Sequence, residues 1–307
     1  MNNVLILGGT GFIGKSLIKT LERDGYNVFY TSRRANDTNQ SHLCVELNDT
    51  ESLMEHIKDK KIDIVIHLVS NLVPANNEID YIKENTEVII PTCRLIDALT
   101  GRKIKFIYFS SAGGVYGDSF TKSYQVSETD ACQPTTYYGR SKLAIEDYLF
   151  KSKLDFLILR PSNVYGRDIN FSKPQGLIGY LIKSHKERGC FYIFGDGNDL
   201  RDYIYIDDLC SITSNLLKEK VNSSVLNICS GKVYSINNVI GEYRGIVSNP
   251  IKVKYAGSRK CDVRYMELSN DKLLGIMKFK FTSLRVGLKY LIDGNDEESV
   301  GNCNTDI

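Results

Sequence analysis

The chain opens with the stretch Val4-Leu5-Ile6-Leu7-Gly8-Gly9-Thr10-Gly11-Phe12-Ile13-Gly14. The apolar run is typical of a buried strand, and the residues beyond the glycines have the spacing of a helix. Glycines at 8, 11 and 14 permit a tight turn, close approach of a pyrophosphate to backbone amides and close helix packing, while the helix N-terminus supplies positive potential. A purely structural glycine turn is the alternative. We expect this turn to bind a dinucleotide through Gly8, Thr10, Gly11, Phe12, Ile13 and Gly14.

Strands and helices alternate through the first half of the chain. The predicted strands are Val4–Leu7, Val28–Thr31, His42–Glu46, Ile62–Val69, Ile104–Ser110 and Phe156–Arg160. The predicted helices are Ile13–Asp24, Thr50–Lys58, Ile79–Leu99 and Thr136–Phe150. Such alternation implies parallel βαβ units with right-handed crossovers and a sheet covered on both faces. The sequence therefore predicts an α/β protein with a doubly wound, Rossmann-type parallel sheet.

After Gly166 the pattern breaks into glycine-punctuated pieces, which predict a smaller C-terminal α/β substrate lobe. We expect residues 1–166 to form the dinucleotide-binding domain and residues 201–235 to return to it. Residues 167–200 and 236–292 would form the substrate-binding lobe. The polar, glycine-containing residues 293–307 are predicted to be a mobile tail.

Composition excludes several classes of function. Lys and Arg number 39 against 37 Asp and Glu, so a net charge of +2 gives no sign of a nucleic-acid-binding surface. Apolar runs fall short of the roughly 20 residues that span a membrane, and no signal-peptide pattern is present, which predicts a cytoplasmic protein without a membrane partner. The eight cysteines and four histidines lack metal-ligand spacing, so we expect reduced thiols and no metal.

The identity of the dinucleotide depends on the end of the second predicted strand. A carboxylate about 20 residues after the glycine turn would hold a ribose 2′-hydroxyl. Here the sequence reads Thr31-Ser32-Arg33-Arg34. Two guanidinium groups without an acidic residue suit a 2′-phosphate, although a solvated basic turn is the alternative. We therefore predict NADP, bound through Ser32, Arg33 and Arg34, with NAD as the alternative.

Tyr138 and Lys142 stand four residues apart in the predicted helix Thr136–Phe150, so they are neighbours on one helix face. A nearby cation stabilises a phenolate and lowers the pKa of tyrosine, which makes the phenol usable as an acid or base. The spacing alone arises often by chance. Its position after the strand that ends in Phe109-Ser110-Ser111 favours a proton-transfer pair.

Several motifs follow one another in a characteristic order. They are GGTGFIG at 8–14, IHLVS at 66–70, SSAGGVYG at 110–117, YYGRSK at 137–142, RPSNVYG at 160–166, RDYIYIDD at 201–208 and DVR at 262–264. With them, residues 1 to 292 resemble the extended short-chain dehydrogenase/reductase family, and within it the NAD(P)-dependent nucleotide-sugar epimerases, dehydratases and reductases.

The resemblance implies roles for individual residues. Tyr138 would transfer the proton, and Lys142 would hold the nicotinamide ribose and lower the pKa of the tyrosine. The implied cofactor contacts also include Leu68, Val69, Ser70 and Pro161. Family members often pair through the helices here predicted as Ile79–Leu99 and Thr136–Phe150, which implies a homodimer.

The resemblance further implies that Asn163, Arg201 and Arg264 contact the diphosphate or ribose of the substrate. Guanidinium groups at two of these positions match the need to hold a pyrophosphate. A turn-forming role for Asn163 and surface ion pairs for the arginines are the alternatives. A nucleotide-diphosphate sugar is thus the implied partner.

Two departures from the family bear on the chemistry. The usual catalytic Ser or Thr position is occupied by Ala112, so we assign its hydroxyl role, and its contact with the sugar, to Ser111. The related dehydratases carry an Asp-Glu pair where Ala-Gly-Gly or Gly-Gly stands here. Without that acid to protonate a leaving hydroxyl, dehydration is not expected.

These residues predict a redox step at C4 of a nucleotide-diphosphate hexose. The favoured hypothesis is an NADPH-dependent 4-keto-sugar reductase of polysaccharide or O-antigen-type sugar biosynthesis, because the turn at 32–34 is basic. An NAD-dependent 4-epimerase similar to UDP-glucose 4-epimerase is the alternative. A dinucleotide sensor without catalytic activity is a third hypothesis.

Overall fold

Three β-sheets and their flanking helices make up the computed structural model. It describes residues 2–32, 41–118, 124–169, 171–172, 174, 176–219, 221, 223–249, 251–257 and 264–300, with side chains through residue 293. The elements up to residue 165 are β1 Asn3–Leu7, α1 Phe12–Arg23, β2 Asn27–Ser32, β3 His42–Cys44, α2 Thr50–Asp59, β4 Ile64–His67, α3 Glu78–Glu84, a π-helical turn Asn85–Ile89, α4 Ile90–Leu99, β5 Lys105–Phe109, α5 Ala112–Tyr116, β6 Gln125–Val126, α6 Tyr137–Lys151, β7 Asp155–Pro161 and β8 Asn163–Tyr165. The later elements are α7 Gly176–Lys186, β9 Cys190–Phe194, β10 Leu200–Tyr205, α8 Ile206–Lys218, β11 Ser224–Ile228, β12 Val233–Ser235, α9 Ile236–Arg244, β13 Lys252–Ala256, β14 Tyr265–Leu268, α10 Asp271–Ile276 and α11 Leu284–Val300.

The largest sheet has seven strands in the order β11-β7-β5-β4-β1-β2-β3. Every neighbouring pair in it is parallel. The first strand is central, because Val4 pairs with Val28 of β2 on one side and with Ile64 of β4 on the other. The prediction of a doubly wound parallel sheet is confirmed.

Both faces of this sheet are buried. Along β1, Val4 and Ile6 pack into the apolar core that includes α1 and α8, while Leu5 and Leu7 pack into the core that includes α2 and α4. This alternation explains why the strand reads as a continuous apolar run. Since both faces are covered, the carboxyl ends of the strands are the edge at which a ligand can bind.

The prediction of one helix over Ile79–Leu99 is wrong. The segment forms α3 and α4, and a π-helical turn joins them. Pro91 lies in the first turn of α4. Proline has no N–H for a helical hydrogen bond, and its ring clashes with the carbonyl four residues earlier, so a regular α-helix cannot pass through it. The wider turn before Pro91 accommodates this interruption.

A second sheet carries the later part of the chain. It has the order β12-β10-β14-β6, and β8 pairs with β10. Helix α8 packs against α1, and β11 lies at the edge of the large sheet, so much of 201–235 joins the N-terminal half. Strand β10 belongs to the second sheet instead. The division into domains stays a prediction.

The C-terminal segment continues the fold further than its composition indicates. Helix α11 extends to Val300 and so includes the first part of the predicted tail, while residues 301–307 lie outside the described residues. None of the helices in the described ranges combines the length and apolar character needed to cross a membrane.

Candidate active site

The glycine turn lies between the carboxyl end of β1 and the start of α1. Gly8 has a φ of +84°, a left-handed conformation that favours glycine, and its carbonyl accepts a 3.1 Å hydrogen bond from the Gly11 amide. Gly11 precedes the first helical residue, Phe12, and no side chain among the described residues caps the helix there. The first amides of α1 are therefore oriented to bind an anion.

Close packing around this turn leaves no room for side chains. A Cβ at Gly14 would lie 2.7 Å from the carbonyl oxygen of Gly8 and 2.5 Å from that of Gly9. A Cβ at Gly9 would lie 2.5 Å from the Cβ of Tyr30 on β2. These distances are below any normal carbon contact. The backbone geometry thus fits the pyrophosphate of a dinucleotide.

The next loop completes the same edge of the sheet. Leu68 follows β4, and its amide donates to the Leu7 carbonyl at 3.0 Å. Val69 then packs on Gly8, with its Cγ2 3.3 Å from the position of a Cβ there. Pro161 ends β7, two strands away in the same sheet. The structure therefore brings Leu68 and Val69 directly against the glycine turn.

The end of β2 is partly described. Ser32 is its last residue, and the Ser32 hydroxyl lies 2.8 Å from Nε2 of His42 on the neighbouring strand β3. Arg33 and Arg34, on which the prediction of NADP rests, lie outside the described residues. The preference between the two cofactors stays a prediction.

Two glycines bring α5 close to α6. A Cβ at Gly139 would overlap the carbonyl oxygen of Gly114, and a Cβ at Gly114 would lie 3.1 Å from Cε1 of Tyr138. This approach places Tyr138 beside Ser111, since the Ser111 hydroxyl oxygen lies 3.3 Å from the same Cβ position. The Ser111 oxygen also accepts from the Gly114 amide at 3.3 Å. Ala112, one residue on, is fully buried in the core.

Lys142 lies one helical turn after Tyr138. Only 4% of it is exposed, and its Nζ donates a 3.0 Å hydrogen bond to the carbonyl of Phe109 at the end of β5. Burial lowers the pKa of Lys142 to about 8, while the negative charges of Glu84 and Glu146 act in the opposite direction. The ammonium is thus held at one place with a pKa near neutrality.

The pKa of Tyr138 differs from the expectation. Burial raises it above the ordinary value of tyrosine, the hydrogen bond from Ser111 lowers it, and the negative charge of Glu84 raises it. Lys142, which is predicted to lower this pKa, is not among these causes, and desolvation of the phenolate is the largest effect. The phenol is therefore protonated at neutral pH.

The three predicted substrate contacts lie on neighbouring strands of the second sheet. Asn163 on β8 pairs with Tyr203 on β10, and its amide nitrogen donates to the Asp202 carbonyl at 2.8 Å. Arg201 also belongs to β10. The residue just before β14, Arg264, accepts a 2.9 Å hydrogen bond from the Leu200 amide through its carbonyl. The structure brings all three together.

The arginines differ in how far the protein holds them. Nη1 of Arg201 is buried and has no hydrogen-bond partner among the described residues, and its nearest carboxylate oxygen, on Asp199, is 3.8 Å away. The backbone of Arg264 is fixed by a 2.7 Å hydrogen bond from its amide to Asp118, and the residue is exposed. Both guanidinium groups can therefore engage an anion.

Sequence reasoning missed Glu84. Its carboxylate is buried at the end of α3 and accepts hydrogen bonds from Ser70 and from Ser141, which directly precedes Lys142. The helix predicted over this segment gave no reason to single it out. Asp80, Lys83 and Glu87 lie in the same segment, so its sequence contains no signal that distinguishes Glu84.

Comparison with known proteins finds a matching family model and several relatives of similar length. The family model described as "NAD dependent epimerase/dehydratase family" matches residues 4–229. The GDP-6-deoxy-D-talose 4-dehydrogenase of Aggregatibacter actinomycetemcomitans is 29% identical over 296 residues, which cover 93% of this chain and 95% of the relative. The dTDP-4-dehydro-6-deoxyglucose reductase of Escherichia coli is 30% identical over 255 residues, 78% of this chain and 80% of the relative.

A solved structure resembles the whole chain. It is the UDP-glucuronic acid 4-epimerase from Bacillus cereus in complex with UDP-glucuronic acid and NAD, with a TM-score of 0.82 and 26% identity. The similarity covers 96% of this chain and 99% of that one.

Proposed function

Because the chain belongs to the family of NAD-dependent epimerases and dehydratases, we propose that it transfers a hydride to C4 of a nucleoside-diphosphate-bound 4-keto hexose. Within that family the protein is an enzyme of the nucleotide-sugar epimerase, dehydrogenase and reductase group. The observation that carries the proposal is the close approach of Ser111 to Tyr138 beside the buried ammonium of Lys142. In this reading the enzyme is a 4-keto-sugar reductase that uses NADPH.

The chain's own residues would handle the proton. When bound, a reduced nicotinamide supplies the hydride that adds to the C4 carbonyl carbon. As the carbonyl oxygen gains negative charge, Tyr138 donates its hydroxyl proton to that oxygen and becomes a phenolate. The Ser111 hydroxyl then donates to the phenolate, and the nearby charge of Lys142 stabilises it. The products are a C4 alcohol and an oxidised cofactor.

Two observations support the reductive direction. The chain is similar to a dTDP-4-dehydro-6-deoxyglucose reductase. Its basic residues Arg33 and Arg34 suit the 2′-phosphate of NADPH, which a reductase consumes.

A 4-epimerase is the second candidate. The chain is similar over nearly its whole length to an epimerase bound to NAD and a UDP sugar. Such an enzyme would oxidise and re-reduce C4 with one retained NAD. It would need Tyr138 to act first as a base, which a positive charge on an oxidised nicotinamide beside the phenol would favour.

Cofactor binding is the first test. We expect NADPH to bind more tightly than NADH, and replacement of both Arg33 and Arg34 by Ala to weaken NADPH binding about tenfold or more while leaving NADH binding unchanged. Fluorescence titration of the purified protein measures both. Tight NADH binding that ignores both substitutions would favour the epimerase.

Turnover is the second test. A reductase consumes NADPH only when a 4-keto nucleotide sugar such as dTDP-4-dehydro-6-deoxyglucose is added. The loss of absorbance of the reduced nicotinamide measures this consumption. A 4-epimerase interconverts UDP-glucose and UDP-galactose with no added NADPH. The second result would overturn the reductase assignment.

We also propose that two copies of the chain pair through α3, α4 and α6. These helices pack side by side, and they leave apolar side chains uncovered: 76% of Ile79, 61% of Ile82 and 54% of Phe150 are exposed. Large apolar side chains exposed on neighbouring helices are typical of an interface. The mass in solution tests the pairing, and Phe150→Lys should shift it from dimer to monomer. A monomeric native protein would overturn the proposal.

A further inference from the structure

Glu84 is a buried carboxylate for which the proposed proton transfer has no role. It is the last residue of α3, just before the π-helical turn, and 1% of it is exposed. Burying a carboxylate costs free energy unless hydrogen bonds and a nearby positive charge compensate for it. Its burial at this place therefore depends on the groups around it.

The hydrogen bonds of Glu84 link two parts of the site. Oε1 accepts from the Ser70 hydroxyl at 3.0 Å, and Oε2 accepts from the Asn71 amide at 3.0 Å. Both donors belong to the loop after β4, which packs on the phosphate-binding turn through Val69. Oε1 also lies 3.4 Å from the hydroxyl of Ser141 on α6. One carboxylate thus joins the cofactor-side loop to the helix that carries the Tyr-Lys pair.

The charge of Glu84 acts on that pair. Burial lowers the pKa of Lys142, and Glu84 opposes this shift ahead of Glu146. Glu84 also raises the pKa of Tyr138, after burial and the Ser111 hydrogen bond. The negative charge of Glu84 therefore favours the protonated forms of both Lys142 and Tyr138.

The other titratable groups around Lys142 do not compete with Glu84 between pH 6 and 9. From β4, His67 has a pKa lowered to about 3 by burial and by the charge of Lys142, so it stays neutral. From β5, burial raises the pKa of Tyr108 well above its ordinary value. From α6, Glu146 forms an ion pair with Arg160 at 2.5 Å. Glu84 is the carboxylate left to balance the ammonium.

We propose that Glu84 is a positioning residue, which fixes the loop after β4 against α6 and places a negative charge next to the segment of α6 that carries Lys142. The proposal rests on the cofactor site of the proposed function. The proposal can be tested without knowing the sugar substrate, because it predicts changes in cofactor binding alone.

The experiment compares the native enzyme with Glu84→Gln, which keeps the shape and removes the charge. NADPH and NADH affinities are measured by fluorescence from pH 6.5 to 9.5. In the native enzyme we expect the affinity to fall as pH rises through about 8, because Lys142 loses its proton. In Glu84→Gln the midpoint of that fall should move down by about one pH unit. An unchanged midpoint in a protein with a native melting temperature would overturn the proposal.

Two further variants separate charge from geometry. Glu84→Asp keeps the charge on a shorter side chain, so it should retain the native midpoint and bind NADPH several-fold more weakly at every pH. Glu87→Gln is the matched control, since Glu87 lies on the same segment, is 44% exposed and contacts Asn71 and Lys83 at the surface. It should change neither quantity. A shift in Glu87→Gln as large as in Glu84→Gln would overturn the proposal.

If Glu84→Gln does not fold, the variants Ser70→Ala and Ser141→Ala test the proposal instead. Each removes one hydrogen bond to the carboxylate, and we expect weaker NADPH binding from the loosened loop. Unchanged binding in both would overturn the proposal. An enzyme with the predicted midpoints that reduces no 4-keto sugar would instead overturn the proposed function alone.

Discussion

The two halves of the candidate site hold their polar side chains in different ways. Around α6 the groups are fixed by the protein itself, since Lys142 donates to a main-chain carbonyl and Ser111 both caps α5 and contacts Tyr138. In the second sheet, Arg201 has a buried nitrogen without a hydrogen-bond partner among the described residues, and Arg264 is exposed. The difference indicates that the half proposed for proton transfer is preorganised, whereas the half proposed for substrate binding leaves polar groups for a ligand to complete.

The largest expected effect is on the preorganised half. Tyr138→Phe removes the proton donor and keeps the ring, so turnover should fall by about 1,000-fold while NADPH affinity changes less than about threefold. Steady-state kinetics and fluorescence titration measure the two. Loss of cofactor binding together with turnover would mean that the tyrosine is structural, and the contrast between the halves would fail.

Ser111→Ala should have the next largest effect, about a 100-fold loss of turnover, because it removes the hydroxyl that stabilises the phenolate. It also removes the cap of α5, which should cost about 1 kcal/mol of stability. Ser110→Ala is the matched control, since the buried Ser110 hydroxyl has no partner within the described part of the chain. Equal losses in both variants would contradict the assignment of the hydroxyl to Ser111.

Arg201→Ala tests the substrate half. We expect the KM for the nucleotide sugar to rise about tenfold, since a charged hydrogen bond to the diphosphate is lost, with kcat and NADPH affinity nearly unchanged. The melting temperature should not fall, because the side chain makes one loose ion pair. A large loss of stability would show that Arg201 is a structural residue.

The smallest effect is expected at Arg264. Its side chain is exposed and its contribution is screened by solvent, so Arg264→Ala should raise the KM by about threefold. Repeating the measurement at high salt sharpens the comparison, because the difference between native enzyme and variant should shrink there. An effect larger than that of Arg201→Ala would reverse their order.

Local patterns predicted much of this molecule. The strand, glycine turn and helix at residues 4–14 depend on neighbours in sequence, as does the i, i+4 placement of Tyr138 and Lys142 on α6. Contacts between distant segments were out of reach. No spacing indicates that Glu84 meets Ser70 and Ser141, or that burial is the largest effect on the pKa of Tyr138.

The break between α3 and α4 lies between these cases. Pro91 is visible in the sequence and is a signal for an interruption, which the prediction of one helix over Ile79–Leu99 does not take into account. In the structure the interruption is a π-helical turn that packs against α6. The sequence of the segment alone does not reveal this contact. The interruption could be predicted, but not the direction in which α3 leaves it.

The π-helical turn Asn85–Ile89 sets the rotation of α3 about its axis relative to α4. Each residue of an α-helix advances the chain by about 100°. Deleting one residue from Asn85–Ile89 would restore a regular α-helical repeat and rotate α3 by about that angle relative to α4. The Glu84 carboxylate would then leave the cofactor-side loop while every residue of the Tyr-Lys pair stayed in place. The number of residues in this segment, more than their identity, thus determines whether Glu84 connects the loop after β4 to α6.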